Sequence, residues 1–224
     1  MTFRWVKGHS DDPSNDLVDQ LAVEAARTQA GRSGDGPPSS LGSADTPGPG
    51  GEVEPRLPGG RLVAVIGHKP PELGGYDSNP VSDAVRAKLG EILAAKRTVT
   101  ADLVLLTGLG LGSEQLAAEA AAGAGVPYVA VLPYPDPDSQ WPSGSRKTFR
   151  ALLEGAQSTV VLQAAPPATK QLAGAALRRR DAWLARHAQE AVAVWDGQNA
   201  SVGRAVRALQ DALGEDDVWI VAPA

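Results

Sequence analysis

A chain of 224 residues, 42% hydrophobic and 21% charged, has room for one generous domain or one domain plus an appendage. Its 21 basic and 26 acidic side chains leave a formal charge of −5, which gives no global reason to bind nucleic acid, although a local basic patch could still do so. The absence of cysteine excludes disulfides, thiolate metal sites and a cysteine nucleophile, and the 3 histidines (His9, His68, His187) are too scattered for a zinc site.

No apolar run approaches the roughly 18 residues of a membrane span, and Met1 is not followed by a secretory pattern. The expectation is a soluble cytoplasmic protein with no membrane partner. In chain order, FRWVKGHSDDPSNDLVDQLAVEAARTQA (3–30) reads as a strand end, a polar loop and a helix. Residues 28–60 hold only Leu41, Val53 and Leu57 as large apolar side chains, too few to offset the entropy of ordering. They are expected to form a flexible Gly/Pro/Ser linker spanning on the order of 30 Å.

From residue 61 onward strands and helices alternate. LVAVIG (62–67) is a β-branched run stopped by glycine, the pattern of a strand buried on both faces. Pro80–Ala95 places Val81, Val85, Leu89, Ile92 and Leu93 on one helical stripe. Buried strands are predicted at 102–108, 127–133, 158–163, 191–197 and 217–223, with helices at 114–123, 145–153, 168–190 and 202–213 between them. Trp195 and Trp219 read as core. This alternation predicts right-handed βαβ units in a doubly wound, mostly parallel α/β sheet of about six strands. Such sheets bind ligands outside the carboxyl ends of their strands, so the loops 67–76, 108–114, 133–141, 164–169 and 196–203 become the candidates for a site. The predicted organisation is 1–27, linker 28–60 and domain 61–224.

The most informative loop is TGLGLGSEQLAAEAA (107–121). Gly108, Gly110 and Gly112 leave a buried strand and feed a helix, whose free N–H groups and positive dipole end suit an anion. Neither G-x-G-x-x-G nor the Walker pattern is present. Glu114 would repel a phosphate beside it, so it should face a ribose hydroxyl or a water, with the phosphate on nearby amides. A tight turn with Glu114 stabilised at the helix start explains the same residues without any ligand. At the first strand end, Gly67 is followed by His68 and Lys69, two candidate phosphate partners, where a hydrogen-bonded structural histidine is the plainer reading. Arg178 and Asp181 read as an ion pair on a solvated face.

VAVIGHKPPELGGY, LVLLTGLGLGSEQLAAEAA, PYVAVLPYPDPDSQWP and RRRDAWLARHAQEAVAVWDG together resemble the SLOG superfamily, Rossmann-like domains related to the LOG and DprA proteins, and within it the YpsA-like members. The resemblance spans about 61–224 and implies a domain that binds a nucleotide or nucleotide-derived ligand. It implies that Gly67, His68, Lys69, Gly108, Gly110, Gly112, Glu114 and Asp196 line the ligand edge. Asn199, Ser201 and Gly203 would form a second backbone cradle. The LOG branch cleaves the N-glycosidic bond of nucleoside monophosphates and uses P-G-G-x-G-T-x-x-E, where this chain has G-x-G-x-E at Gly110, Gly112 and Glu114. If that chemistry operates, Glu114 is its catalytic residue, stabilising an oxocarbenium ion or activating water. If not, binding would signal to a homo-oligomer interface or a linked partner.

WVKGHSDDPSNDLVDQLAVEAA resembles the C-terminal end of type 1 ribonuclease H, with His9 at the loop histidine, Asp19 at the last metal-binding carboxylate and Asn15 four residues before it. Two-metal hydrolysis needs several carboxylates clamping two cations, and Asp19 alone cannot hold two hydrated Mg²⁺ ions. The chain is therefore expected to begin inside a nuclease domain and not to cut RNA by itself. Mg²⁺ and an RNA–DNA hybrid would be partners only of a longer parent, and no other cofactor is expected.

Overall fold

The structure is a computed structural model that describes residues 54–223. The predicted helix of the opening stretch, His9, Asn15, Asp19 and the linker up to residue 53 lie outside the described residues. Six strands form one parallel sheet: β1 (Arg61–Gly67), β2 (Leu103–Thr107), β3 (Tyr128–Leu132), β4 (Ser158–Val161), β5 (Glu190–Val194) and β6 (Val218–Val221). Five α-helices connect them: α1 (Pro80–Val99), α2 (Ser113–Gly123), α3 (Ser143–Glu154), α4 (Lys170–His187) and α5 (Ala200–Leu213). A 3₁₀ turn, Pro70–Leu73, follows β1 and another, Glu215–Asp217, precedes β6. This is the predicted doubly wound α/β architecture, Rossmann-like and all parallel.

The period of two along each strand divides the core into two layers. Val63, Val65, Leu103, Leu105, Ala130 and Val192 face α1, α2 and α3, meeting Val85, Leu89 and Leu93, the alanines of α2 and Phe149. Leu62, Ala64, Ile66, Val104, Leu106 and Ala193 face α4 and α5, meeting Leu184, Ala185, Val206 and Leu209. The alanine-rich α2 lets α1 approach closely: a Cβ added at Gly90 would lie 4.0 Å from the Cβ of Ala120. Leu57, from the expected linker, packs against the second layer.

The strand order is β4-β3-β2-β1-β5-β6. The chain winds outward from β1 to β4, crosses back over the sheet through α4, and lays β5 on the far side of β1. The order therefore reverses between β1 and β5, and in sheets of this kind the crevice for a ligand opens there, outside the strands' carboxyl ends. No helix of the described residues is long and apolar enough to cross a membrane.

Two expectations need correction. Trp219 is not core: it is 50% exposed on the edge strand β6, with Lys96 Nζ 4.3 Å above its ring. The predicted helix 168–190 stops at His187, because Ala188 is extended and Gln189 donates its N–H to Leu62 O, turning the chain into β5.

Leu105 is 1% exposed in the middle of the first layer. Replacing it by alanine should cost about 2–5 kcal/mol, read as a lower urea midpoint at unchanged slope. A loss under about 1 kcal/mol would mean that this layer is not close-packed.

Candidate functional site at the carboxyl edge of the sheet

His68 is the first residue past β1 and is 1% exposed. Its carbonyl accepts from both the N–H and the Oγ of Ser113, each at 3.0 Å. Its own N–H donates to Val194 O at 3.2 Å, and its Nε2 accepts from the Asp196 N–H at 2.9 Å. An acceptor role at Nε2 puts the ring proton on Nδ1, and Nδ1 is enclosed without a partner among the described residues. One residue thus ties the end of β1 to the start of α2 and to the end of β5. Gly67 and Gly112 permit it. A Cβ at Gly67 would come 2.7 Å from the Val194 Cβ, and one at Gly112, where φ is +93°, would lie 2.4 Å from His68 O. Lys69 follows, exposed.

The loop after β2 is built inward. Thr107 Oγ1 accepts from the Leu109 N–H at 3.2 Å and donates to Glu114 O at 3.1 Å. Leu109 is fully buried in a left-handed conformation, φ +53°, and its carbonyl accepts from Gln115 Nε2 at 3.1 Å. The Glu114 carboxylate folds back over the loop: Oε2 accepts from the Gly110 N–H at 3.0 Å and Oε1 from Arg180 Nη2 at 3.0 Å.

Arg180 comes from α4 and is 6% exposed. Its Nε and Nη2 both donate to Asp181 Oδ1, at 3.0 and 2.7 Å. The guanidinium lies on Gly108, where a Cβ would fall 2.2 Å from Nη1 and 2.6 Å from Glu114 Oε2. Burial by itself lowers the Arg180 pKa, but the Glu114 and Asp181 carboxylates outweigh it and hold the value above that of an ordinary arginine. Asp181 does not pair with Arg178, which is exposed.

After β5 the turn closes on Asp196, whose Oδ1 accepts from the Gln198 N–H at 2.8 Å and the Asn199 N–H at 2.9 Å. These amides, Asn199 foremost, hold the Asp196 pKa below that of an ordinary aspartate. Asn199 caps α5 by accepting from the N–H groups of Ser201 and Val202 and donates to Glu72 Oε1 at 3.0 Å. The Gly203 N–H bonds Asn199 O, and a Cβ there would meet the Trp195 ring at 2.8 Å. The amides of Ser201 and Gly203 are therefore engaged within the helix, and Asp196 is the exposed polar side chain of this turn nearest His68.

The structure brings Gly67, His68, Lys69, Gly108, Gly110, Gly112, Glu114 and Asp196 to one edge, with His68 buried beneath it. Arg180 and Asp181 join them. A separate shallow depression of ≈ 350 Å³ lies at the start of α3, lined by Asp138, Ser139, Ser143, Arg146, Lys147 and Arg150. Arg150 is bridged there to Asp136 and Asp138. This depression follows β3, on the far side of β2 from the His68 turn.

No protein-family model matches the chain. A 35-residue stretch at the N-terminus is 54% identical to Ribonuclease H of Treponema pallidum subsp. pallidum, covering 16% of this chain and 21% of that protein. The chain thus spans about a fifth of that relative's length. Among solved structures, DNA processing protein A from Helicobacter pylori, described by its single-stranded DNA binding mode, aligns at TM-score 0.48 and 16% identity over 71% of this chain and 64% of its own. The molybdenum cofactor carrier protein of Chlamydomonas reinhardtii aligns at TM-score 0.44 and 18% identity over 73% and 91%. DNA processing protein A of Streptococcus pneumoniae gives 0.42 and 15% over 72% and 58%. At these identities the likeness is one of fold alone.

Two outcomes are expected. Gly112→Ala should destabilise by about 1–3 kcal/mol from the positive-φ backbone alone, more with the His68 O clash. Gly144→Ala, with nothing within 4 Å of the new Cβ, should be neutral or stabilising in the same denaturation series. A Gly112→Ala variant as stable as Gly144→Ala would refute the close approach. In a ¹³C-detected titration Asp196 should ionise below the usual aspartate value of about 3.9. Because its folded pKa is depressed, its favourable contribution exists above the unfolded pKa and disappears as pH falls through the folded one. An Asp196 titrating at or above the usual value would show that the turn amides do not hold its carboxylate.

Proposed function

We propose that residues 61–224 form a SLOG-type domain that binds a nucleotide or nucleotide-derived ligand at the crevice between the ends of β1 and β5. The observation that carries this reading is the junction at His68 O, whose two bonds from Ser113 set the His68–Lys69 turn against the start of α2 at the switch point of the sheet. The anionic group of the ligand belongs beside Lys69 and the positive end of α2. Asp196, across the crevice, accepts hydrogen bonds from the rest of the molecule.

Binding is favoured over N-glycosidic hydrolysis. The Glu114 carboxylate is ion-paired with Arg180 and accepts from the Gly110 N–H, so it already serves to hold the loop in shape. The charge that would steady an oxocarbenium ion is likewise shared with a guanidinium. The N-terminal stretch is read, from its likeness to Ribonuclease H over 35 residues, as a ribonuclease H-like fragment without nuclease activity of its own.

A nucleoside monophosphate panel tests the reading by thermal shift. At about 100 Kd a true ligand adds about 2.7 kcal/mol, which for a domain of this size raises Tm by several degrees. No shift with any nucleotide at millimolar concentration would overturn nucleotide binding. Release of free base during the same incubations would move Glu114 back to a catalytic role.

A further inference from the structure

The hydrogen bonds of His68 belong to a neutral ring. Nε2 accepts from the Asp196 N–H at 2.9 Å, so the ring proton sits on Nδ1 and a second proton can go only to Nε2. Protonation there turns the acceptor into a donor. An N–H facing an N–H at that distance repels, and the amide must leave. Beside it stands an atom that suits the charged ring: Asp196 Oδ1 lies 3.3 Å from Nε2. One residue thus offers the imidazole a donor in its neutral state and an acceptor in its charged state.

The charged side chains on the elements around the ring are Lys69 and Glu72 beyond β1, Glu114 at the start of α2, and Asp196 and Arg204 beyond β5. Glu114 is turned to Gly110 and Arg180, and Glu72 to Asn199. Lys69 and Arg204 are exposed. Asp196 is therefore the charged residue among those described that lies within bonding reach of the ring. Burial resists a charge on His68, and this carboxylate offsets the resistance. The Asn199 and Gln198 amides keep the carboxylate ionised. The His68 carbonyl takes no part, since its two bonds from Ser113 are compatible with either state of the ring.

We propose that His68 is a proton-operated latch on the turn after β5. Neutral, the ring holds the Asp196 amide and keeps the turn docked at the end of β1. Taking a proton from solvent on Nε2, it donates to the Asp196 carboxylate and releases the amide, so residues 196–199 re-form and the crevice between β1 and β5 changes shape. The turn is the two-state element, and the added charge biases it. The Asn199 bridge to Glu72 lies on the same turn and is loosened with it. The latch is a property of the free protein, independent of which ligand the crevice takes.

The test is an NMR titration of the full ¹⁵N-labelled chain from about pH 8 down to the onset of acid unfolding, which circular dichroism marks. The His68 ring is assigned against His9→Gln and His187→Gln. Its Nε2 should pass from acceptor to donor, and the Asp196, Gln198 and Asn199 amides should move with the same midpoint while the Ser113 amide stays still. In Asp196→Asn, which keeps the oxygen and loses the charge, the ring should take up its proton roughly three- to tenfold less readily, the scale of one partly screened neighbouring charge. A merely structural histidine would titrate alike in both proteins. The latch is overturned by a ring that charges while the Asp196 amide stays still, or by one that remains neutral until the fold is lost. It is equally overturned if Asp196→Asn titrates as native does. His68→Gln should abolish the movement of the Asp196 amide, and a movement that persists there contradicts the latch. Should His68→Gln not fold, the native and Asp196→Asn titrations decide.

Discussion

The carbonyl oxygen of His68 is the atom on which the edge of this molecule depends. It accepts twice from Ser113, while the imidazole of the same residue accepts from Asp196 N–H. Loops after three different strands are therefore held by one buried residue. Loops are ordinarily the loosest part of an α/β domain, so a shared anchor is what converts three of them into a surface of fixed shape. The polar groups of that surface then cost little reorganisation when a ligand arrives, which is the physical meaning of preorganisation.

The glycine-rich loop acquires a different meaning in this setting. Glycines in a strand-to-helix turn suggest close approach of backbone to phosphate. Here each of the three answers to a neighbour inside the protein. Gly108 makes room for the Arg180 guanidinium, Gly110 lies 3.2 Å (from an added Cβ) from the Glu114 carboxyl, and Gly112 clears His68 O. The loop is thus shaped first by an internal ion cluster. Removing one member of a buried pair typically costs more than the pair gains, so Glu114 and Arg180 are bound to each other's fate.

The fold was legible because its strands are buried on both faces. Runs such as Leu62–Ile66 and Leu103–Thr107 read as strands whichever neighbours they take, and the strand ends differed by three residues at most. Strand order was not legible, and with it went Trp219, whose apolar character says core but whose place on an edge strand leaves it half exposed under Lys96. The site was legible in part. Glu114, the glycines and the His68–Lys69 turn stand out by their position after strands, but the burial of His68 was visible only once β1 and β5 were neighbours. Arg180 is hidden within a run of three arginines. Its signal was periodicity: Ala176, Arg180 and Leu184 recur every fourth residue and are all buried, so an arginine stood on the apolar stripe of α4. A charge at such a position demands a partner, and Glu114 supplies it from 66 residues away.

The central claim is that one crevice, bounded by the loops after β1, β2 and β5, receives the ligand. The most direct measurement is amide chemical-shift mapping of ¹⁵N-labelled protein titrated with adenosine 5′-monophosphate. The account predicts saturable shifts concentrated at residues 67–69, 108–114, 180–181 and 196–199. Shifts confined to the depression around Ser143–Arg150, or to the opposite edge near Arg61 and Glu190, would contradict it.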